Sequence, residues 1–215
     1  KRQEHQLGSN IVEKKVNVYE DPGGHKLTFN TELARYAAYT GKHMLVVDGS
    51  LANSSRIAET MGVKPNKIHA VTDASDFDEM NRSVPNGTRT YKANVLTMFQ
   101  TDFGDESYPV GKILNTNTGP FGVMYFDLMC GTPNSKHKRY REYCNLVDTL
   151  IRYKYLEKDS VFALTTCLFI MNGEYRETHC TSEQELEHTF ITLFAQTNTQ
   201  VRVQTCKKYR GQMCF

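Results

Sequence analysis

Two short apolar runs, each closed by an aspartate and a cluster of small residues, constrain this chain more than any other feature. The first lies in HMLVVDGSLANSSR, residues His43 to Arg56, and the second in FGVMYFDLMCGTP, residues Phe121 to Pro133. Met44 to Val47 and Val123 to Phe126 are each four apolar residues in succession, which fits strands buried on both faces of a helix-covered parallel sheet. An α/β fold follows. Asp48 then opens a turn of small residues, Gly49, Ser50, Ala52, Ser54 and Ser55, that leads into a helix. Strand, sharp turn and helix N-terminus together form a pocket floor whose backbone N–H groups face a ligand of nucleotide type.

Glycine content narrows the ligand. A dinucleotide site needs three glycines at fixed offsets for close backbone approach to a pyrophosphate, and here only Gly49 is present. A cofactor without phosphate, such as S-adenosylmethionine, needs only small side chains in the turn and a carboxylate to meet its ammonium group. An ordinary strand-to-helix turn remains the alternative on this stretch alone.

The 215 residues suffice for one α/β domain, expected over 1–215, with 1–30 as an N-terminal cover segment. No apolar run is long enough to span a bilayer and KRQEHQLGSN is polar, so a soluble intracellular protein without membrane association is expected. Its six cysteines form no C-x-x-C pair, which points to neither a zinc cluster nor a disulfide framework. A formal charge of +2 leaves any nucleic-acid binding to a local patch.

Along the chain, His25 to Phe29 reads as a short extended piece after the Pro22-Gly23-Gly24 turn. Asn30 or Thr31 is expected to cap a helix through ELARYAAYT, with Gly41 ending it. A second strand, 67–73, ends in Asp73, where nucleotide-binding sheets place a carboxylate for ribose hydroxyls. DFDEMNRS is expected to be helical, 90–99 a third strand followed by a loop or short helix, and 100–120 a surface excursion. Asp127 arrives as the fourth strand ends, with Cys130, Gly131, Thr132 and Pro133 in a tight loop facing the same crevice. Lys136, Lys138, Arg139 and Arg141 then crowd the start of a helix whose apolar face is Leu146, Val147, Leu150 and Ile151. This run is a candidate phosphate contact, with a solvated basic face as the alternative. A fifth strand over 159–170, a helix with a Ser182–Glu185 capping box, and a closing hairpin of VRVQTC and GQMCF joined through KKYRG complete the plan. The expected fold is a doubly wound, mostly parallel seven-stranded sheet with a C-terminal antiparallel hairpin.

From residue 30 onward this order of elements resembles the Rossmann-like S-adenosylmethionine-dependent methyltransferases. Within them it is most similar to the catalytic domain of tRNA guanine-N2 dimethyltransferases. The matching elements are Asp48 with GSLANSS and Arg56, Asp73 followed by a short helix and Asn81, KANVL with Asn94, and the loop after the fourth strand. In that family the loop reads Asp-Pro-Phe-Gly-Ser-Pro; here it is one residue longer and lacks the first proline, and Lys92 stands where the family has a carboxylate.

The resemblance implies S-adenosylmethionine bound by Asp48, Gly49, Ser50, Asp73 and Asn94, a nucleic-acid partner, RNA before DNA, and an amino-nitrogen acceptor held by Asp127. It implies no metal, and says nothing about oligomeric state. A second mechanism uses sulfur: RNA 5-methylcytosine enzymes have Asp-x-x-Cys and Thr-Cys elements, a spacing met by Asp127 with Cys130 and by Thr166 with Cys167. Two further alternatives are an inactive methyltransferase-like binding subunit and a nicotinamide-dependent oxidoreductase, the latter opposed by the missing glycines.

Overall fold

The computed structural model describes residues 24–73, 75–94, 98, 120–131, 140–152, 154–156, 158–167, 169–172, 176–180, 183–197, 199, 201–202, 207–209 and 212–214. Five α-helices occur among them, α1 (His25–Thr40), α2 (Asn53–Thr60), α3 (Phe77–Ser83), α4 (Tyr140–Arg152) and α5 (Glu183–Ala195), with a short 3-10 helix at Pro65–Lys67. Nine strands occur: β1 (His43–Val47), β2 (Ile68–Thr72), β3 (Arg89–Lys92), β4 (Phe121–Gly131), β5 (Val161–Cys167), β6 (Phe169–Asn172), β7 (Arg176–Cys180), β8 (Lys207–Tyr209) and β9 (Gln212–Cys214). The main sheet runs β3-β2-β1-β4-β5-β9-β8, and β6 and β7 pair separately. β1 to β5 are mutually parallel, whereas β9 runs antiparallel to β5 and β8 antiparallel to β9.

Alternate residues of the central strands enter two different cores. On one face Met44, Val46, Ile68, Ala70, Val123 and Tyr125 pack beneath α1, α2 and α3 through Phe29, Leu33, Ala37, Ala58 and Met80. On the other, Leu45, Val71, Met124, Phe126 and Leu164 meet Leu146, Val147 and Leu150 of α4 and Phe190, Leu193 and Phe194 of α5. Burial on both faces explains the unbroken apolar runs of β1 and β4, since neither strand has a solvent side to fill with polar residues. Where β4 begins, Gly122 is the extra residue of a bulge opposite β1. A Cβ there would stand 2.8 Å from Lys42 Cβ and 3.0 Å from Thr40 Oγ1, so the turn out of α1 requires glycine.

Several elements differ from the sequence expectation. His25 to Phe29 is helical: α1 starts behind Gly24, whose φ of 63° lets the chain turn sharply into it. Neither Asn30 nor Thr31 caps a helix, because Thr31 Oγ1 donates back to Leu27 O at 2.8 Å and Asn30 Nδ2 donates to Ser54 Oγ at 3.4 Å. Gly41 does end the helix, donating its N–H to Ala37 O at 3.0 Å. β3 itself is Arg89–Lys92, and in the loop or short helix expected after it Asn94 O accepts from Met98 N–H at 2.8 Å, a helical spacing. β4 continues through Cys130 to Gly131, so these two residues lie in an extended segment and not in a tight loop. Its pairing with β5 is irregular between Asp127 and Gly131, where Gly131 lies opposite Cys167.

The fifth strand ends at Cys167, and Phe169–Asn172 pairs with Arg176–Cys180 in the small sheet instead. At the C-terminus the hairpin strands are Lys207–Tyr209 and Gln212–Cys214, so part of the expected turn is itself strand. Lys136, Lys138, Arg139, Thr132, Pro133 and Ser182 lie outside the described residues, and Arg141 falls in α4. Among the described residues no helix is long and apolar enough to cross a membrane, and no group of three His, Cys, Asp or Glu is placed to hold a metal.

Candidate cofactor site

The strand order reverses between β1 and β4, and in open parallel sheets ligands bind beyond the carboxyl ends of the strands at that point. A pocket lies there. It is open to solvent and is lined by Lys26, Asp48, Gly49, Leu51, Ala52, Asn53, Ser54 and Asp127. Its floor is the turn from β1 into α2. Asp48 N–H donates to Val71 O at 3.0 Å, continuing the parallel ladder by one residue, and Ala52 N–H then turns back to Gly49 O at 2.9 Å. Ala52 holds a left-handed φ of 50°, a cost an alanine bears only where the surroundings dictate it.

Asp48 supplies part of that determination. Its Oδ1 accepts from Ser54 N–H at 2.9 Å, and its Oδ2 accepts from Ser55 N–H at 2.9 Å and from Ser55 Oγ at 2.5 Å. These amides belong to the first turn of α2, which has no intrahelical acceptor for them. Burial pushes the Asp48 carboxyl above its ordinary value, against the hydrogen bonds from Ser55 and Ser54 that pull it down. Asp48 therefore organises the pocket floor with both oxygens engaged. The oxygen left for a ligand belongs to another aspartate.

Asp127 stands across the pocket on β4. Lys26 of α1 forms an ion pair with its Oδ2, with the two side chains 24% and 17% exposed. Asp127 Oδ1 is buried and has no hydrogen-bond partner among the described residues. A buried carboxylate oxygen without a donor is costly, so this atom is set to accept an N–H or O–H from something that enters the pocket.

Of the residues singled out from sequence, Asp48, Gly49 and Asp127 share the pocket. Ser50 is buried at 7% exposure and does not line it. Asp73 sits at the end of β2, exposed, its Oδ1 accepting from Ser75 N–H at 3.0 Å and Ser75 Oγ at 2.7 Å. These two bonds hold its carboxyl below the ordinary value. Asn94 is exposed just beyond β3, and Lys92 Nζ lies 6.0 Å from the Phe77 ring centroid. The side chains of Cys130, Cys167 and Arg141 lie outside the description. Sequence reasoning missed Lys26, which enters the pocket only because α1 starts five residues before Asn30.

Neither a protein-family profile nor any curated protein matches the sequence. Solved structures do. A LepI variant in complex with SAH and a substrate analogue is similar at 11% identity and a TM-score of 0.51, over 98% of this chain and 52% of that one. The plantazolicin methyltransferase BamL, in complex with a triazolic desmethylPZN analog and SAH, is similar at 10% identity and a TM-score of 0.50, over 87% of this chain and 68% of that one. The chain thus spans about half the length of the first of these. At such identities the likeness concerns architecture alone, and the chain shares the Rossmann-like α/β fold of these two proteins.

Proposed function

We propose that this chain is an S-adenosylmethionine-dependent methyltransferase domain acting on an uncharged amino nitrogen. The observation that carries this reading is the position of the pocket: an Asp48-capped small-residue turn and an uncommitted Asp127 oxygen meet at the switch point between β1 and β4. The terminal β8–β9 hairpin beside β5 supports it, because an ordinary dinucleotide sheet finishes with parallel strands. Bound there, S-adenosylmethionine supplies an electrophilic methyl group. Ser54, Ala52 and Gly49 offer a small-residue floor, Asp73 faces solvent where ribose hydroxyls would lie, and Asp127 Oδ1 accepts a hydrogen bond from the acceptor and aims its lone pair. The acceptor class rests on the resemblance to tRNA guanine-N2 dimethyltransferases and on the Lys136 to Arg141 run, and RNA is the polymer we favour.

Transfer of tritium from S-adenosyl-[methyl-³H]methionine to RNA, with protein and DNA as parallel acceptors, tests the reading. Asp127→Ala is expected to lose at least tenfold in turnover while affinity for S-adenosylhomocysteine, which lacks the sulfonium charge, changes less than about threefold, the pattern of a group that acts on the reacting centre. Label in protein only would refute the RNA assignment. Equal losses in turnover and binding would move Asp127 from the acceptor to the cofactor.

A further inference from the structure

The Lys26–Asp127 pair joins two elements that nothing in the sequence pattern connects. Lys26 lies in the first turn of α1, Asp127 on β4, and both line the pocket. α1 is seated firmly there: Phe29, one turn from Lys26, meets Tyr125 edge-on at 5.6 Å between ring centroids, and Asn30 Nδ2 donates to Ser54 Oγ at the pocket floor. The ammonium engages Oδ2, while Oδ1 stays buried and free of partners among the described residues. One carboxylate thus has its charge balanced on one side and an acceptor atom presented on the other.

We propose that Lys26 is a positioning and specificity-determining residue of this pocket: it holds Asp127 by Oδ2, presents Oδ1 to an N–H or O–H of an uncharged methyl acceptor, and cancels the Asp127 charge toward the sulfur of the cofactor. The inference rests on the methyltransferase reading. An ammonium acceptor would face Lys26 at close range and is disfavoured by like-charge repulsion, whereas a neutral amine or hydroxyl satisfies Oδ1 without that penalty. An Asp127 standing alone would reverse this preference.

The charge statement has a direct readout, since S-adenosylmethionine carries a positive sulfur and S-adenosylhomocysteine a neutral one while the remainder is shared. Calorimetry with each compound gives the ratio of the two dissociation constants, homocysteine form over methionine form. Lys26→Met exposes the Asp127 charge and is expected to raise this ratio about tenfold; Lys26→Arg, which keeps the charge, should stay within twofold of wild type. Asp127→Asn removes the negative charge beside Lys26 and should shift the ratio the other way, so the inference survives a poorly folded Lys26→Met protein. If S-adenosylmethionine binds but the ratio holds within twofold in Lys26→Met and Asp127→Asn alike, Lys26 has no such role and the methyltransferase reading stands. If the wild-type protein binds neither compound, that reading fails and takes this inference with it.

Discussion

Replacing Asp48 with alanine is expected to lower the free energy of unfolding by about 2–4 kcal/mol. Asp48 accepts three hydrogen bonds from Ser54 and Ser55, and alanine would leave the two α2 amides buried without an acceptor. A charged hydrogen bond contributes ~1.5–3 kcal/mol and a helix-capping side chain typically ~1 kcal/mol, while relief from burying a carboxylate offsets part of the loss. Asparagine should rescue only partly, because its amide nitrogen must face a donor where one carboxylate oxygen stood. Urea unfolding of the three proteins decides the matter through the midpoint at constant slope. A loss below ~0.5 kcal/mol would mean that the turn holds its shape without the carboxylate.

Acid should destabilise the fold through a second buried device. His43, His69 and Tyr91 form a hydrogen-bonded chain across β1, β2 and β3, with 2.8 Å from His43 Nδ1 to His69 Nε2 and 2.9 Å from His69 Nδ1 to the Tyr91 hydroxyl. The direction of each bond depends on the ring tautomers, and two neutral rings supply one donor and one acceptor to the His43–His69 contact. With both rings doubly protonated, His43 Nδ1–H and His69 Nε2–H would face each other across 2.8 Å. Burial, then the neighbouring His43 and Arg89, push His69 down to about 3, and burial with Arg89 and Lys67 also lowers His43. Burial pushes Tyr91 up to about 12, so it stays protonated throughout.

The unfolded histidine protonates near pH 6.5 while the folded one stays neutral, so stability is fully present above that pH and is lost as pH falls below it. For His69 alone the loss amounts to about 2 kcal/mol at pH 5, at ~1.4 kcal/mol per pH unit. Asp48, whose carboxyl is raised by burial, acts in the opposite sense as pH falls, so the useful comparison is wild type against His69→Gln between pH 7 and pH 5, in which the Asp48 contribution is common to both. The variant starts less stable and should lose about 2 kcal/mol less over that range. Parallel pH profiles for the two proteins would contradict the account.

These features differ in how far the sequence discloses them. β1 and β4 were legible because strands buried on both faces leave unbroken apolar runs, and Asp48 and Asp73 were legible as the polar residues just past the carboxyl ends of β1 and β2; Asp127 instead lies inside β4, where its regular pairing with β5 stops. The start of α1 was also available: Phe29, Leu33 and Ala37 recur every four residues, a helical stripe that continues upstream of Asn30. The Pro22-Gly23-Gly24 turn drew attention from it, and Lys26 was lost with it. Asp48 looked like a ligand because a carboxylate in a nucleotide-type turn has that meaning by pattern; its capture by the α2 amides depends on how the turn closes. The early end of β5 and the late start of the terminal hairpin turn on pairing between distant segments, which local pattern does not encode. For the same reason the His43–His69–Tyr91 chain is invisible until register sets His69 opposite Leu45 and Tyr91 opposite Val71.

The most direct test of the central claim is equilibrium binding of S-adenosylmethionine, by calorimetry, to the wild-type protein and to Asp73→Ala. The account predicts one site per chain, competition by S-adenosylhomocysteine, and about tenfold weaker binding in the variant, the loss of a hydrogen bond to a charged acceptor of ~1.4 kcal/mol. No saturable binding to the wild-type protein, or equal affinity in the two with the ligand held elsewhere than at Asp48 to Ser54, would contradict it.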